Sequence, residues 1–313
     1  MTPVATAPGK LLLAGEYAVL DGGPAVVAAV DRRVVARASG AGLLSPFLAA
    51  AADHVAAERG ERSHAALAAR AIVVDSSRLA TDRVKLGLGS SAAATVAAVA
   101  CALAHDDRAL GLDRALVHRL ARDAHADAQG RKGARGSGAD VAASTYGGVV
   151  RFEAGDVTPL SLPGDLVLIP FWTGHAADTA RLVVAVTHAR AERPAEVGAA
   201  LTAIADAAAA LAAAATASAA IAAIDAGADA LAALGRAAGI DLETDLVRAA
   251  RRLSAPLGGA AKTCGAGGGD VAVAVLPAGA DRGAFRAALA DAGGMPLDLA
   301  VDAVGVDIPP PPE

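Results

Sequence analysis

Short apolar runs bounded by glycine, proline or aspartate alternate along this chain with longer stretches of helical spacing. Residues 10–13 and 25–30 are runs of the first kind and predict strands, with 34–38 continuing the second. Residues 46–58 and 66–71 carry helical spacing, and 72–75 predicts a short strand. Residues 92–104 predict a helix built from small residues. Residues 113–128 predict an amphipathic helix with Leu116, Leu120 and Ala124 on one face, ending at Gln129 and Gly130. After a glycine-rich loop and the small-residue run 141–145, residues 147–152 predict a strand.

The composition shifts at 159–164, which marks a boundary between a domain of residues 1–164 and one of residues 165–313. Beyond it, 166–171 predicts a strand. Residues 195–234 predict an alanine-rich helical hairpin anchored by Leu201, Ile204, Leu211, Ile221, Ile224, Leu231 and Leu234. A basic helix at 245–253, a strand at 271–276, a helix at 282–292 and a last strand at 297–306 follow, and the proline tail is extended. Helices and strands mix without a regular β-α-β rhythm, so the fold class is α+β.

Composition narrows the picture. The chain has 313 residues and 54% hydrophobic residues, but only 2% aromatics, so its core is packed largely with alanine. The net charge of −5 argues against a nucleic-acid or membrane-surface partner. The two cysteines, Cys101 and Cys264, make no disulfide framework, and a cytoplasmic location follows most simply. The uncharged run 207–224 reaches membrane length, but alanine contributes little to insertion, so a soluble helix is expected there.

The chemistry concentrates in glycine-rich segments. In KLGLGSSAAA (85–94), Gly87 and Gly89 free a tight turn of side chains, so that backbone N–H groups can close on an anion. Ser90 and Ser91 add hydroxyls, and the following helix aims its positive end at the same point. Such a turn taken alone also suits a purely structural role or a degenerate dinucleotide fingerprint, and no Walker A loop occurs. In GSGADVAASTYGG (136–148), Asp140 starts a small-residue helix, either as an anion favoured there or as a plain N-cap. His118 and His125 lie seven apart on one helix without metal-ligand spacing and read as surface or satisfied residues.

APGKLLLAGEYAVL (7–20), KLGLGSSAA, GSGADVAASTYGG and KTCGAGGGD (262–270) occur in this order, and together they resemble the GHMP small-molecule kinases over essentially the whole chain. GEYAVL, the lysine before the glycine loop, DVAASTYGG, the aspartate closing GAGGGD and WTGHAADTARLVV (172–184) are most similar to the bacterial phosphomevalonate kinases. The resemblance implies an N-terminal domain with a left-handed βαβ element and a ferredoxin-like C-terminal domain, with ATP and substrate meeting between them. It implies that Lys85, Gly87, Leu88, Gly89, Ser90, Ser91 and Ala92 bind ATP, and that Ser91 and Gln129 stand at Mg2+. Lys10, Asp140 and Ser91 would be catalytic. Lys10, Glu16, Tyr17, Ser137, Gly138, Asp140, Gly267, Gly268 and Asp270 would bind a phosphorylated small molecule, in a monomer or homodimer.

Residue chemistry agrees with this. Phosphoryl transfer needs positioning and neutralised charge, which Lys10, Lys85, Lys262 and backbone amides can supply. Arg131, Lys132 and Arg135 form either a solvated loop or substrate contacts, and Arg181 and His175 carry the same two readings. Gln129 stands where mevalonate kinase relatives have a glutamate, and an amide is the weaker Mg2+ partner. The rival readings are a kinase acting on a small alcohol such as mevalonate, a decarboxylase of the same superfamily, a non-catalytic binding protein on the same scaffold, and a Rossmann oxidoreductase.

Overall fold

A computed structural model describes residues 2–40, 44–81, 84–106, 112–131 and 136–310. Its first half is built on β1 (Val4–Ala14) and β2 (Ala25–Ala38), which pair antiparallel along most of their lengths. The two apolar runs at 25–30 and 34–38 form one strand. The far edge of β2 carries β4 (Val149–Glu153) near its start and β3 (Ile72–Asp75) near its end, and β5 (Asp156–Leu160) extends the sheet beyond β4. The expectations did not include β5; Pro159 hides it, and its place as an edge strand tolerates the missing N–H.

Between β3 and β4 run α3 (Ser90–Leu103), α4 (Arg114–Gly130) and α5 (Ala139–Tyr146). Both strands are antiparallel to β2 and hence parallel to each other, so this segment is a β-helix-β crossover. Ahead of it, α1 (Pro46–Arg59) and α2 (His64–Ala69) match the helical spacing, and Ser45 caps α1 with Pro46 in its first turn. Side chains alternate along β1 and β2. Leu11, Leu13, Val26 and Ala28 join the core that contains α3, whereas Leu12, Ala25 and Val27 pack with Ala139, Ala142 and Phe152 near α5 and β4.

The second half has the antiparallel sheet order β7-β8-β6-β9, from β6 (Leu166–Trp172), β7 (Ala260–Thr263), β8 (Val271–Pro277) and β9 (Met295–Pro296). With its helical connections this is the ferredoxin-like arrangement. Strand β8 is buried on both faces. Val271, Val273 and Val275 join the main core, while Ala272, Ala274 and Leu276 pack with Phe285 of α10 (Arg282–Asp291) and Val247 of α9 (Asp245–Ser254). Three of the four phenylalanines, Phe152, Phe171 and Phe285, are fully buried, each contributing roughly 1.5–3 kcal/mol.

The alanine-rich hairpin is α7 (Pro194–Ala212) and α8 (Ala217–Ala238). The uncharged run 207–224 is therefore divided between two helices, because Thr216 accepts the Ala219 N–H (3.2 Å) and starts a new one. Both helices are long and apolar enough to span a membrane by length and composition. Here α7 packs on α8, β1 and β2, and α8 packs on β7 and β8, so their small side chains join the two sheets through a shared core. Ahead of them runs α6 (Thr179–Glu192), which carries Arg181 on its exposed side. Asp178 caps it. Lys262 interrupts the apolar pattern of β7.

The last predicted strand, 297–306, does not form as such. This segment instead fills the stretch of β2 left open between β4 and β3, through Asp302 N–H to Ala29 O (3.0 Å) and Asp31 N–H to Ala300 O (3.0 Å). It then crosses to β1, where Thr6 and Asp307 exchange backbone bonds of 2.8 and 2.9 Å. A ladder cannot continue across such a change of partner. Arg33 secures the crossing by binding the Asp302 carboxylate, Thr6 and the Gly305 carbonyl. Asp302 also accepts the Val304 and Gly305 N–H groups. Asp302→Ala strands all of these donors and should destabilise the protein by about 2–3 kcal/mol in urea unfolding. A change below about 0.5 kcal/mol would show that the segment is held without it.

Candidate functional site

A cavity of about 430 Å³ opens between the two sheets and collects most of the residues singled out above. Its floor is the glycine loop at the start of α3. Gly87 and Gly89 adopt φ of 78° and 73°, a left-handed conformation that costs a side-chain-bearing residue about 1–2 kcal/mol. Space forbids a side chain as well. A Cβ on Gly89 would fall 2.9 Å from Cγ and Cε of Lys10, and one on Gly87 would fall 2.5 Å from Cβ of Asp270. Leu88 is turned into the core and its carbonyl accepts the Lys10 N–H (2.9 Å), which fixes the loop to β1. Ala92 is also buried, so it can offer a ligand only its backbone N–H. Gly89 is the N-cap of α3, and the amides of the first turn, the Ser90 hydroxyl and exposed Lys85 are groups that suit an anion, while the Ser91 hydroxyl stands beside them.

Lys10 and Asp140 meet above this floor, with Nζ 3.5 Å from Oδ2. The lysine is buried with a side-chain exposure of 9%, whereas Asp140 is 37% exposed and open to the cavity. Asp140 lies in the first turn of α5, behind Gly138 as N-cap, and Ser137 accepts the Ala139 N–H (3.2 Å). Asp270 approaches from the other sheet. Burial raises its pKa, opposed by the Ala177 N–H bond at 3.2 Å and by the charges of Lys10 and His175.

The opposite wall departs from expectation. Lys262 is 1% exposed and ion-paired to Glu16, which is 2% exposed, and it donates a second bond to the Thr263 carbonyl (2.7 Å). Lys262 is thus shut away from solvent and does not line the cavity, whereas Glu16 and Tyr17 do. Tyr17, held at φ 60°, donates its hydroxyl to the Ala266 carbonyl (2.6 Å); burial, then the Glu16 charge, raises its pKa. Cys264, Gly265 and Ala266 line the cavity, but Gly267 and Gly268 do not. A Cβ on Gly267 would sit 2.4 Å from the Leu242 carbonyl, and Gly268 donates its N–H to that oxygen (2.9 Å), so both back onto the segment before α9. Cys264 is pushed up to about 12, chiefly by burial, and is no thiolate at neutral pH.

Helix α4 supplies what the sequence reading underrated. His118 and His125 are both buried. Burial brings His118 down to about 4 and also lowers His125, against the pull of Asp140. His125 lines the cavity, with Nε2 3.1 Å from the Ser91 hydroxyl and its ring stacked on Phe47 at 4.9 Å. Gln129 lies one turn further along the same face and also lines the cavity. Its buried Oε1 has no donor among the described residues, and a Cβ added at Gly136 would fall 1.8 Å from it. The i, i+4 spacing of His125 and Gln129 was the available signal. Thr179 and Val183 of α6 also line the cavity; Arg181 and His175 are exposed and do not. Arg131 faces Asp53 at 3.8 Å rather than the cavity, and Lys132 and Arg135 lie outside the described residues.

The arrangement resembles known proteins along its whole length. A family profile for the GHMP kinases N terminal domain matches residues 39–148. The phosphomevalonate kinase of Streptomyces sp. (strain CL190) is 31% identical, across 95% of this chain and 96% of that protein. The Lin0012 protein of Listeria innocua shares the fold with a TM-score of 0.81 and 22% identity, covering 98% of this chain and 99% of that one. Streptococcus pneumoniae phosphomevalonate kinase, solved in complex with phosphomevalonate and AMPPNP, gives a TM-score of 0.73 at 19% identity over 95% of this chain and 99% of that one. The glycine loop, the Lys10–Asp140 pair and the full-length similarity converge on one conclusion: the chain belongs to the GHMP kinase family and is an ATP-dependent kinase.

Proposed function

We propose that this kinase transfers the γ-phosphoryl group of ATP to the phosphate of 5-phosphomevalonate, giving 5-diphosphomevalonate and ADP. The Lys10–Asp140 pair carries the reading: a cation and a carboxylate 3.5 Å apart stand directly above an anion-binding loop. The similarity to the Streptomyces phosphomevalonate kinase supports the choice of acceptor. We further read residues 1–164 and 165–313 as two domains of a cytoplasmic monomer or homodimer, with no nucleic-acid or membrane partner.

In this reading the amides at the start of α3, with Lys85, hold the ATP phosphates. Ser91, Gln129 and Asp140 offer a hydroxyl, an amide and a carboxylate oxygen, hard donors that suit Mg2+, and the Gln129 Oε1, without a donor among the described residues, is an acceptor open to such a partner. Bound there, Mg2+ would neutralise charge on the phosphate oxygens. An acceptor oxygen attacks the γ-phosphorus, the bond to the β–γ bridging oxygen breaks, and ADP leaves. Lys10 neutralises the transferred group. Asp140 orients the acceptor oxygen, and Lys10 offsets the repulsion between that carboxylate and an anionic substrate. Glu16 and Tyr17 line the acceptor wall, and Lys262 behind them holds the Glu16 carboxylate in place.

Coupled ADP release should be faster with phosphomevalonate than with mevalonate. The reverse order would replace the acceptor assignment by a small alcohol and leave the kinase assignment standing. Lys10→Met should lower kcat by about 10²–10³, the range for losing one charge-stabilising donor in a transition state. A variant within a few-fold of wild type would reduce Lys10 to a structural role.

Asp140→Asn separates orientation from base catalysis. A phosphate monoester has a second pKa of about 6, so the acceptor needs little help losing a proton at neutral pH. The residual rate of Asp140→Asn at saturating substrate should therefore rise from pH 6 to pH 8 as the acceptor ionises. A rate flat across that interval would assign Asp140 to base or capping duty instead.

A further inference from the structure

Helix α4 has no role in the mechanism beyond Gln129, yet it sets a buried imidazole against the phosphate loop. His125 is 5% exposed, and its Nε2 lies 3.1 Å from the Ser91 hydroxyl. A core histidine satisfied by chance would be free to take any partner. This one is fixed from two sides: Phe47 of α1 stacks on its ring with an interplanar angle of 27°, and Ser91 of α3 meets its edge. Three helices therefore determine where the ring nitrogen points, and it points at a hydroxyl that lines the cavity.

A neutral imidazole offers one donor and one acceptor nitrogen, and a serine hydroxyl offers one proton and two lone pairs. If Nε2 accepts, the Ser91 proton is drawn away from the cavity and the oxygen presents lone pairs to it, which suits a cation. If Nε2 donates, the Ser91 proton remains free to point at a phosphate oxygen, which suits an anion. The neighbouring groups favour the first arrangement. Gln129, one helical turn along, and Asp140 across the cavity both contribute oxygen acceptors, so this corner gathers oxygen ligands.

We propose that His125 is a positioning residue of the phosphate loop: its imidazole Nε2 accepts a hydrogen bond from the Ser91 hydroxyl and so turns the Ser91 oxygen toward the metal that accompanies the nucleotide. The idea rests on the reading of the glycine loop as a nucleotide site, and it is independent of the acceptor's identity. Partners that orient a metal ligand through a hydrogen bond typically change metal affinity by about 10–100-fold when removed.

The test is nucleotide binding by isothermal titration calorimetry, with AMPPNP as probe, once with Mg2+ and once with EDTA. His125→Phe keeps the ring stacked on Phe47 and removes only the bond to Ser91. It should weaken binding with Mg2+ about tenfold and change binding in EDTA less than twofold. His125→Gln, whose side chain reaches the position of Nε2, should stay within about threefold of wild type with Mg2+. In a Ser91→Ala background, His125→Phe should add no further loss, as required if both act through one contact. Should His125→Phe not fold, His125→Asn, one atom too short to reach Ser91, takes its place with the same expected loss.

Unchanged Mg2+-dependent binding in His125→Phe would overturn the proposal. So would equal losses with Mg2+ and EDTA, which would make Ser91 a phosphate donor, or additive losses with Ser91→Ala. No binding of AMPPNP to the wild-type protein would instead remove the underlying nucleotide-site reading.

Discussion

The structure turns on the fit of one short loop between two side chains. Gly87 and Gly89 lie so close to Asp270 and Lys10 that a single Cβ at either position would collide with them. Lys10 belongs to the first strand and Asp270 to the turn before β8, so the loop is clasped by residues from both sheets. Its left-handed backbone points amides rather than side chains into the cavity. The clasp brings together a loop of free amides, a buried cation and two carboxylates, the kinds of group that position and neutralise charge in phosphoryl transfer.

The rest of the molecule holds that clasp in register. The α7–α8 hairpin packs on both sheets, and its alanines allow close approach of backbone to backbone. Glu16 and Lys262 join the end of β1 to β7 through a buried ion pair, and Tyr17 ties the same corner to the Ala266 carbonyl. A buried pair of this kind is weak as a source of net stability, but its geometry is exacting, and breaking it leaves an uncompensated charge. Its place at the cavity wall makes it a means of holding shape. The C-terminal segment fills the open edge of β2 and closes the far side of the sheet.

Electrostatics in the cavity are balanced rather than uniformly positive. Lys10 and Lys85 face Asp140 and Asp270, while Lys262 is withdrawn into its pair with Glu16. The backbone amides at the start of α3 add positive potential from positions that cannot relax away as long cationic side chains can. Burial raises the pKa of Asp270 and lowers that of His125, so both groups resist acquiring charge in this corner.

By itself the sequence determined the local elements and the chemistry of the loops. Glycine spacing marked the anion turn, apolar spacing marked most helices and strands, and the order of the motifs marked the family. These are properties of neighbouring residues, set by backbone sterics and periodicity, and they survive translation into three dimensions. Contacts between distant segments were decided only by the tertiary structure. Lys262 had the charge to serve a phosphate, but the fold placed Glu16 against it. Gly267 and Gly268 had the right composition for a ligand loop, but Leu242 and Leu182 occupy the space beside them. His125 lacked any motif and gained its place because three helices converge on it. Residues 297–306 had a strand's pattern, but their backbone bonds go in turn to β6, β2 and the end of α5, before Asp307 reaches β1. In each case the outcome depended on which surface met which, and composition along a single stretch of chain carries no information about its partner.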